Sequence, residues 1–206
     1  MQLFCRTGQV YYILLTHGNN SMNEMNINLI PFEEHHLNFL SSEVTSSKFL
    51  IQWAGPKYKL PLTWIQFQNR ITEKDNGEAV NHLFLAANSL SNEPVGFVEL
   101  RIKDSISRLG LIGSVLVFQK WRGLGAGKML VKEICRFGFI NIELKTLILN
   151  VFDFNIAAIE VYKKLGFNTT DNNYHTCNVE GETWKSFQMS LSKEGFQELC
   201  RTRMIL

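Results

Sequence analysis

Six consecutive residues, Arg122-Gly123-Leu124-Gly125-Ala126-Gly127, have the make-up of an anion-binding loop. Glycines at 123, 125 and 127 remove the Cβ atoms that would hold a ligand off the backbone, and they open dihedrals closed to other residues. The loop joins an apolar stretch, Ser114 to Phe118, that reads as a strand, to a segment from Leu124 to Phe139 with helical spacing. There Leu130, Ile134 and Phe137 share one face, while Lys128, Lys132, Glu133 and Arg136 lie elsewhere. A helix N-terminus carries unpaired N–H groups and about half a positive charge, so a diphosphate can dock there with few side-chain cations. The pattern is not a P-loop, because Gly127-Lys128 is followed by Met129 instead of Ser or Thr. Nor does it fit a dinucleotide fingerprint: Glu143, near the required distance, precedes the next strand instead of ending it. A glycine-rich turn with no ligand is the plain alternative.

A second constellation follows. A buried strand, Leu147 to Phe152, leads into a helix that Asn155 can cap and Gly166 can close. Asn155, Ala158 and Tyr162 lie within two turns of that helix and share a face, bringing together an amide, a small residue and a phenol. Singly, each has an ordinary reading as cap, packing residue or rim aromatic.

Taken together and in this order, the two motifs resemble the GNAT superfamily of acetyl-CoA-dependent N-acetyltransferases. Arg122, Gly125 and Gly127 meet that family's Gln/Arg-x-x-Gly-x-Gly/Ala pattern. Asn155, Ala158, Tyr162, Gly166 and Phe167 meet its Asn-x-x-Ala-x-x-x-Tyr-x-x-x-Gly-Phe signature. The likeness runs from about Ile27 to Leu191, and the text around Gly96 to Leu100 and Ile112 to Val117 is similar to the branch that holds ribosomal-protein acetyltransferases. The resemblance implies a mixed α/β fold. Its central sheet would be mostly antiparallel, with six to seven strands, splayed at the cofactor site and flanked by helices.

It also implies a division of labour. Acetyl-CoA would be the cosubstrate, with its diphosphate on Arg122, Gly123, Leu124, Gly125, Ala126, Gly127 and Lys128. The pantetheine arm would lie along the backbone of Val115, Leu116 and Val117, with Asn155 and Ala158 alongside. Leu116 or Val117 would supply an N–H to the carbonyl oxygen where the strand bulges. Tyr162 would be the general acid: with a reference pKa of about 10 its phenol carries its proton at neutral pH and lies close enough to the roughly 8.5 of a thiol to pass that proton to a departing thiolate at small cost. Glu99 is the candidate base, with a surface-facing strand position as its alternative, and an amine that arrives neutral needs no strong base. Trp53 and Tyr58 lie in the segment that lines the acceptor side in relatives. The acceptor would be an amine, on a small molecule or a protein N-terminus. A silent CoA-binding module, or a transferase using another acyl-CoA, are the rival readings, and the resemblance leaves room for a homodimer.

The rest of the chain sets bounds. Its 206 residues suit one domain, 25–206, behind an appendage, 1–24. The composition, 45% hydrophobic and 19% charged, is globular, and a net charge of +2 without a basic, aromatic-interleaved run argues against nucleic acid. The apolar run Val10 to Leu15 is too short to cross a bilayer, so no membrane role is expected. Cys5, Cys135, Cys177 and Cys200 show no CxxC spacing, which points away from zinc and disulfides and toward a reducing cytoplasm; Cys135 reads as a buried small hydrophobe. His35 and His36 read as solvated. Periodicity predicts a strand at Ile27 to Ile30 and helices at Glu33 to Ser41 and Pro61 to Glu73. An irregular Gly/Pro-broken segment, Phe49 to Tyr58, lies between those helices. Strands are predicted at His82 to Ala87, Val95 to Ile102, Leu109 to Phe118, Asn168 to Cys177 and Thr183 to Leu191. Asn172-Asn173 and Gly181 mark turns, and Lys193 to Leu206 forms a short helix.

Overall fold

The computed structural model describes residues 26–75 and 78–204. In chain order the elements are β1 (Ile27–Pro31), α1 (Leu37–Glu43), α2 (Ser47–Ala54), α3 (Trp64–Ile71), β2 (Lys74–Asp75), β3 (Glu78–Ala79), β4 (Asn81–Asn88) and β5 (Pro94–Asp104). Then come β6 (Leu109–Val117), α4 (Ala126–Arg136), β7 (Thr146–Phe152), α5 (Ile156–Lys164), β8 (Asn168–Val179), β9 (Glu182–Ser192) and α6 (Lys193–Met204). The appendage expected at 1–24 lies outside the described residues.

Seven strands hydrogen-bond in the order β1-β4-β5-β6-β7-β9-β8, and β2 and β3 form a separate small ribbon. All neighbours in the large sheet are antiparallel except β6 and β7, which run parallel, as the α4 crossover between them requires. This is the mixed, mostly antiparallel sheet flanked by helices that the family resemblance implies.

The two faces of the sheet bury separate cores. On one, Val98 and Leu100 of β5 join Leu130, Ile134, Leu147, Leu149 and Phe167. On the other, Phe97 and Leu116 join Leu40, Leu50, Trp53, Tyr58 and Phe67 from the segments between β1 and β4. The period of two along β5 therefore turns Glu99, like Phe97, into this aromatic layer. Glu99 is only 2% exposed, which removes the surface-facing alternative.

Other local readings change as well. The segment expected to be irregular holds a helix, α2, capped by Ser46, whose side chain accepts from the Phe49 N–H at 3.2 Å. Gly55, at φ 64°, ends that helix instead of breaking the whole stretch. Pro61 follows a cis peptide bond and sits outside α3, which starts at Trp64. Asn172 and Asn173 lie within β8, where its register with β9 slips, and of the two expected turns the one at Gly181 forms, with Glu180 and Gly181 both at positive φ. His36 is buried: its Nδ1 accepts from the Glu33 N–H at 3.0 Å, and burial together with the neighbouring His35 holds its pKa below the ordinary value. Cys135 is fully buried beside α5, and α6 docks through Phe196, whose ring lies 5.4 Å from that of Phe139.

Candidate active site

The β6–β7 ladder runs only from Leu109↔Thr146 to Ile112↔Leu149, although β6 continues to Val117 and β7 to Phe152. From Gly113 onward β6 has no partner strand on that side among the described residues, because β7 has swung away with β9, to which it is paired along its whole length. A buried strand edge that lacks a ladder partner calls for another source of N–H and C=O groups, and an amide-bearing ligand arm would supply it.

A bulge coincides with the opening. Between Phe97↔Leu116 and Glu99↔Gly113 the register slips, so that two β6 residues, Ser114 and Val115, oppose Val98 alone. Ser114 takes φ 50°, which for a side chain other than glycine costs on the order of 1 kcal/mol and persists only where neighbours hold it. Two do. Trp53 donates from its indole nitrogen to the Ser114 carbonyl at 2.7 Å, and Lys57 donates from Nζ to the Ser114 hydroxyl at 2.8 Å.

Lys57 also reaches Glu99 at 3.1 Å, as does Arg70, and Tyr58 donates its hydroxyl to the other carboxylate oxygen. Burial opposes the charge on Glu99, yet the two cations and the phenol outweigh it and hold the carboxyl below its ordinary pKa. For Lys57 the balance goes the other way, and burial lowers the ammonium's pKa against the pull of Glu99. The network extends through Asn81, which accepts from Arg70 and donates to Glu73, to the Glu73–Arg101 pair at 2.6 Å. Sequence reasoning singled out Glu99, Trp53 and Tyr58 but missed Lys57, Arg70 and Ser114.

At the other end of the opening lies the glycine turn. Gly123 and Gly125 take φ 77° and 82°, and a Cβ built at either meets nothing within 4 Å, so the loop is open to the outside. Gly125 is the N-cap of α4. The N–H groups of Gly123, Leu124, Gly125, Ala126 and Gly127 take no backbone acceptor among the described residues, whereas Lys128 donates to the Gly125 carbonyl at 3.1 Å. Five amides thus stand at a helix N-terminus, and Lys128 can add only its side-chain ammonium. Arg122 points elsewhere: Nε donates to the Val117 carbonyl at 2.8 Å and the guanidinium pairs with Glu43 at 3.0 Å, tying the turn to α1. Its side chain shapes the loop, which leaves its backbone as the part next to the anion site.

Across the opening, Asn155 caps α5 with Oδ1 accepting from the Ala158 N–H at 3.3 Å. Tyr162 is buried between α4 and α5, with Cys135 beside it and the Phe167 ring 5.9 Å away. Burial first, and the nearby thiol second, raise its pKa, so the phenol keeps its proton. Its hydroxyl makes no hydrogen bond to a described side chain.

A model of the Acetyltransferase (GNAT) family matches residues 46–167, which takes in α2, the bulge, the glycine turn and α5 up to Phe167. The chain belongs to the GNAT family. Among its curated relatives is the SPbeta prophage-derived uncharacterized N-acetyltransferase YokL of Bacillus subtilis (strain 168), 27% identical over 115 residues, a stretch covering 55% of this chain and 63% of that protein. Solved structures with the same fold include spermidine N-acetyltransferase from Vibrio cholerae in complex with CoA and spermine. It has TM-score 0.70 and 16% identity, covering 84% of this GNAT chain and 98% of that one. The manganese complex of spermidine/spermine N-acetyltransferase SpeG from Vibrio cholerae superposes with TM-score 0.66 at 18% identity, covering 84% of this chain and 96% of that one.

Proposed function

We propose that this GNAT protein transfers the acetyl group of acetyl-CoA to a primary amine by direct attack. The observation that carries the reading is the coincidence, along one strand, of a ladder that stops short, a bulge and a glycine turn with five amides that take no backbone acceptor among the described residues. A diphosphate suits the glycine turn, and an amide-bearing pantetheine arm suits the open edge from Gly113 to Val117, so the residues fit the cosubstrate. Bound there, acetyl-CoA supplies an activated acetyl group as its thioester.

The chain's own residues would do the rest. The amides from Gly123 to Gly127, with the Lys128 ammonium, hold the diphosphate; Val115, Leu116 and Val117 hold the arm through their backbone, and Asn155 and Ala158 line its other side. An N–H of Leu116 or Val117, directed by the bulge, stabilises negative charge on the carbonyl oxygen, a contribution of about 3 kcal/mol for one such donor. Tyr162 gives its proton to the departing thiolate. Glu99, the sequence's candidate base, has a different role in this reading. With its oxygens taken up by Tyr58, Lys57 and Arg70, it holds Lys57 at the bulge, and the amine enters neutral or loses its proton to water.

Two measurements test this. Calorimetric titration with acetyl-CoA should give saturable binding that Gly125→Ala weakens, and a panel of primary amines should elicit free CoA thiol from the loaded protein. Binding without thiol release from any amine would favour a silent CoA-binding module, and tighter binding of succinyl-CoA would move the donor class.

A further inference from the structure

The charge of the cluster beneath the bulge bears on which amine is acetylated, a question that rests on the transfer reading above. Glu99 and Glu73 are its two carboxylates, and Lys57, Arg70 and Arg101 its three cations, paired at distances of 2.6 to 3.1 Å. The cluster is therefore net positive, and both oxygens of Glu99 are already engaged. Each of its carboxylates is already ion-paired within the cluster.

Lys57 is the member that touches the bulge. Its Nζ lies 2.8 Å from the Ser114 hydroxyl, and a Cβ built on Gly113 would come within 2.9 Å of it. Gly113 is the first β6 residue beyond the end of the β7 ladder, so the ammonium stands at the apex of the opening, where the bulge begins. An ammonium has three N–H donors. Two are directed at Glu99 and Ser114, and the side chain is 29% exposed, so the third has a route outward.

We propose that Lys57 is a specificity-determining residue that receives an anionic group of the acceptor, making the preferred substrate an amine that also carries a carboxylate. The ammonium is fixed by two hydrogen bonds before the acceptor arrives, so little side-chain entropy is lost when a third partner binds. Burial disfavours an uncompensated ammonium there, so an anionic partner is held more strongly than on an open surface. A polyamine, carrying positive charge alone, meets repulsion at the same place. The acceptor of this chain therefore differs in charge class from the spermine in the solved relative's complex.

The test uses amines matched except for a carboxylate: phenylalanine against phenethylamine, and lysine against 1,5-diaminopentane, with spermidine as the polycation. A charge-assisted hydrogen bond corresponds to about a 10- to 100-fold preference, so kcat/KM for the carboxylated member should exceed that of its partner by that factor. The difference should lie mainly in KM. In Lys57→Met the ratio should collapse toward one, and in Lys57→Arg it should be largely retained. Calorimetric binding of the same pairs to the CoA-loaded protein should show the same discrimination without any turnover. Should Lys57→Met fail to fold, the wild-type ratios still decide. Preference for spermidine or the decarboxylated amines, no binding by any member of the panel, or an unchanged ratio in Lys57→Met would each overturn the assignment. Failure of thiol release from every amine, with the binding preference intact, would overturn the transfer reading alone.

Discussion

Tyr58 donates its hydroxyl to Glu99 inside the aromatic layer that α1, α2 and α3 lay on the sheet. The pair joins the irregular turn after α2 to the centre of β5, so it fixes the position of Lys57, one residue away, as well as its own. Removing the donor by Tyr58→Phe leaves a buried carboxylate oxygen short of a partner, and the expected cost is about 1 to 3 kcal/mol of stability. Glu99→Gln removes the charge that compensates Lys57 and Arg70, and should cost more, about 3 to 5 kcal/mol. Urea unfolding of both variants checks the order; a Glu99→Gln protein as stable as the parent would mean that the network carries no net charge coupling.

The glycine turn offers a pair of substitutions with opposite expected outcomes. Gly125 at φ 82° is the N-cap of α4, and an alanine there meets no atom but must adopt a left-handed conformation costing about 1 to 2 kcal/mol. Relaxing that conformation re-aims the amides, so Gly125→Ala should weaken acetyl-CoA binding by about tenfold or more. Gly127 lies within the helix, where an added Cβ would touch Val117 Cγ2 at an ordinary 3.5 Å. Gly127→Ala should raise stability by up to about 1 kcal/mol and leave binding little changed. Thermal melts and calorimetry on the two proteins separate backbone geometry from bulk, and equal losses of affinity would contradict the assignment of the turn.

What could be read from the sequence was what sits close together along it. The glycine turn, the Asn155 cap and the Ala158 and Tyr162 positions on α5 depend on spacings of one to seven residues, which helix geometry fixes without reference to the rest of the fold. The Lys57 site was illegible because its partners, Glu99 and Ser114, are 42 and 57 residues away and meet only through strand register and a bulge. The helix α2 was hidden differently: Gly55-Pro56 reads as a breaker of its whole neighbourhood when it only ends the helix, although Ser46, three residues before Phe49, was a usable start signal. For His36 the signal lay in the pairing with Glu33, since an imidazole acceptor can satisfy a helix-entry N–H as a carboxamide would. Asn172 and Asn173 have poor strand propensity, and they fall where the β8–β9 register slips between Thr169 and Tyr174, so the chain absorbs them as an irregularity within the strand instead of a turn.

Tyr162 should separate chemistry from binding. Its hydroxyl has no hydrogen bond to lose among the described residues and its ring packing survives in phenylalanine, so Tyr162→Phe is expected to melt within about 0.5 kcal/mol of the parent. A proton donor contributes about 100- to 10,000-fold in comparable reactions, and turnover should fall by a factor in that range while the Kd for acetyl-CoA stays nearly constant. Steady-state rates beside calorimetric titration measure both. Unaltered turnover would remove the phenol from the reaction.

Stability should fall on the acid side for a reason that two buried histidines supply. Burial holds the His82 pKa at about 4 and lowers that of His36, whose Nδ1 must stay unprotonated to accept from the Glu33 N–H. In the unfolded chain a histidine titrates near 6.5, so between that pH and 4 the unfolded state binds more protons than the folded one. The stabilisation is complete above about pH 6.5 and is lost as pH falls toward the folded values, to the extent of about 3 kcal/mol for His82 alone. Glu73 and Glu99, whose pKa values are also lowered, keep their full contribution above the carboxylate range and lose it only as pH falls through and below that range, which leaves pH 5 to 7 as a window for the imidazoles. Urea midpoints across that window should drop with acid in the parent and drop less steeply in His82→Gln, whatever the variant's absolute stability. Parallel slopes in the two proteins would mean that the imidazole at position 82 is protonated in the folded state.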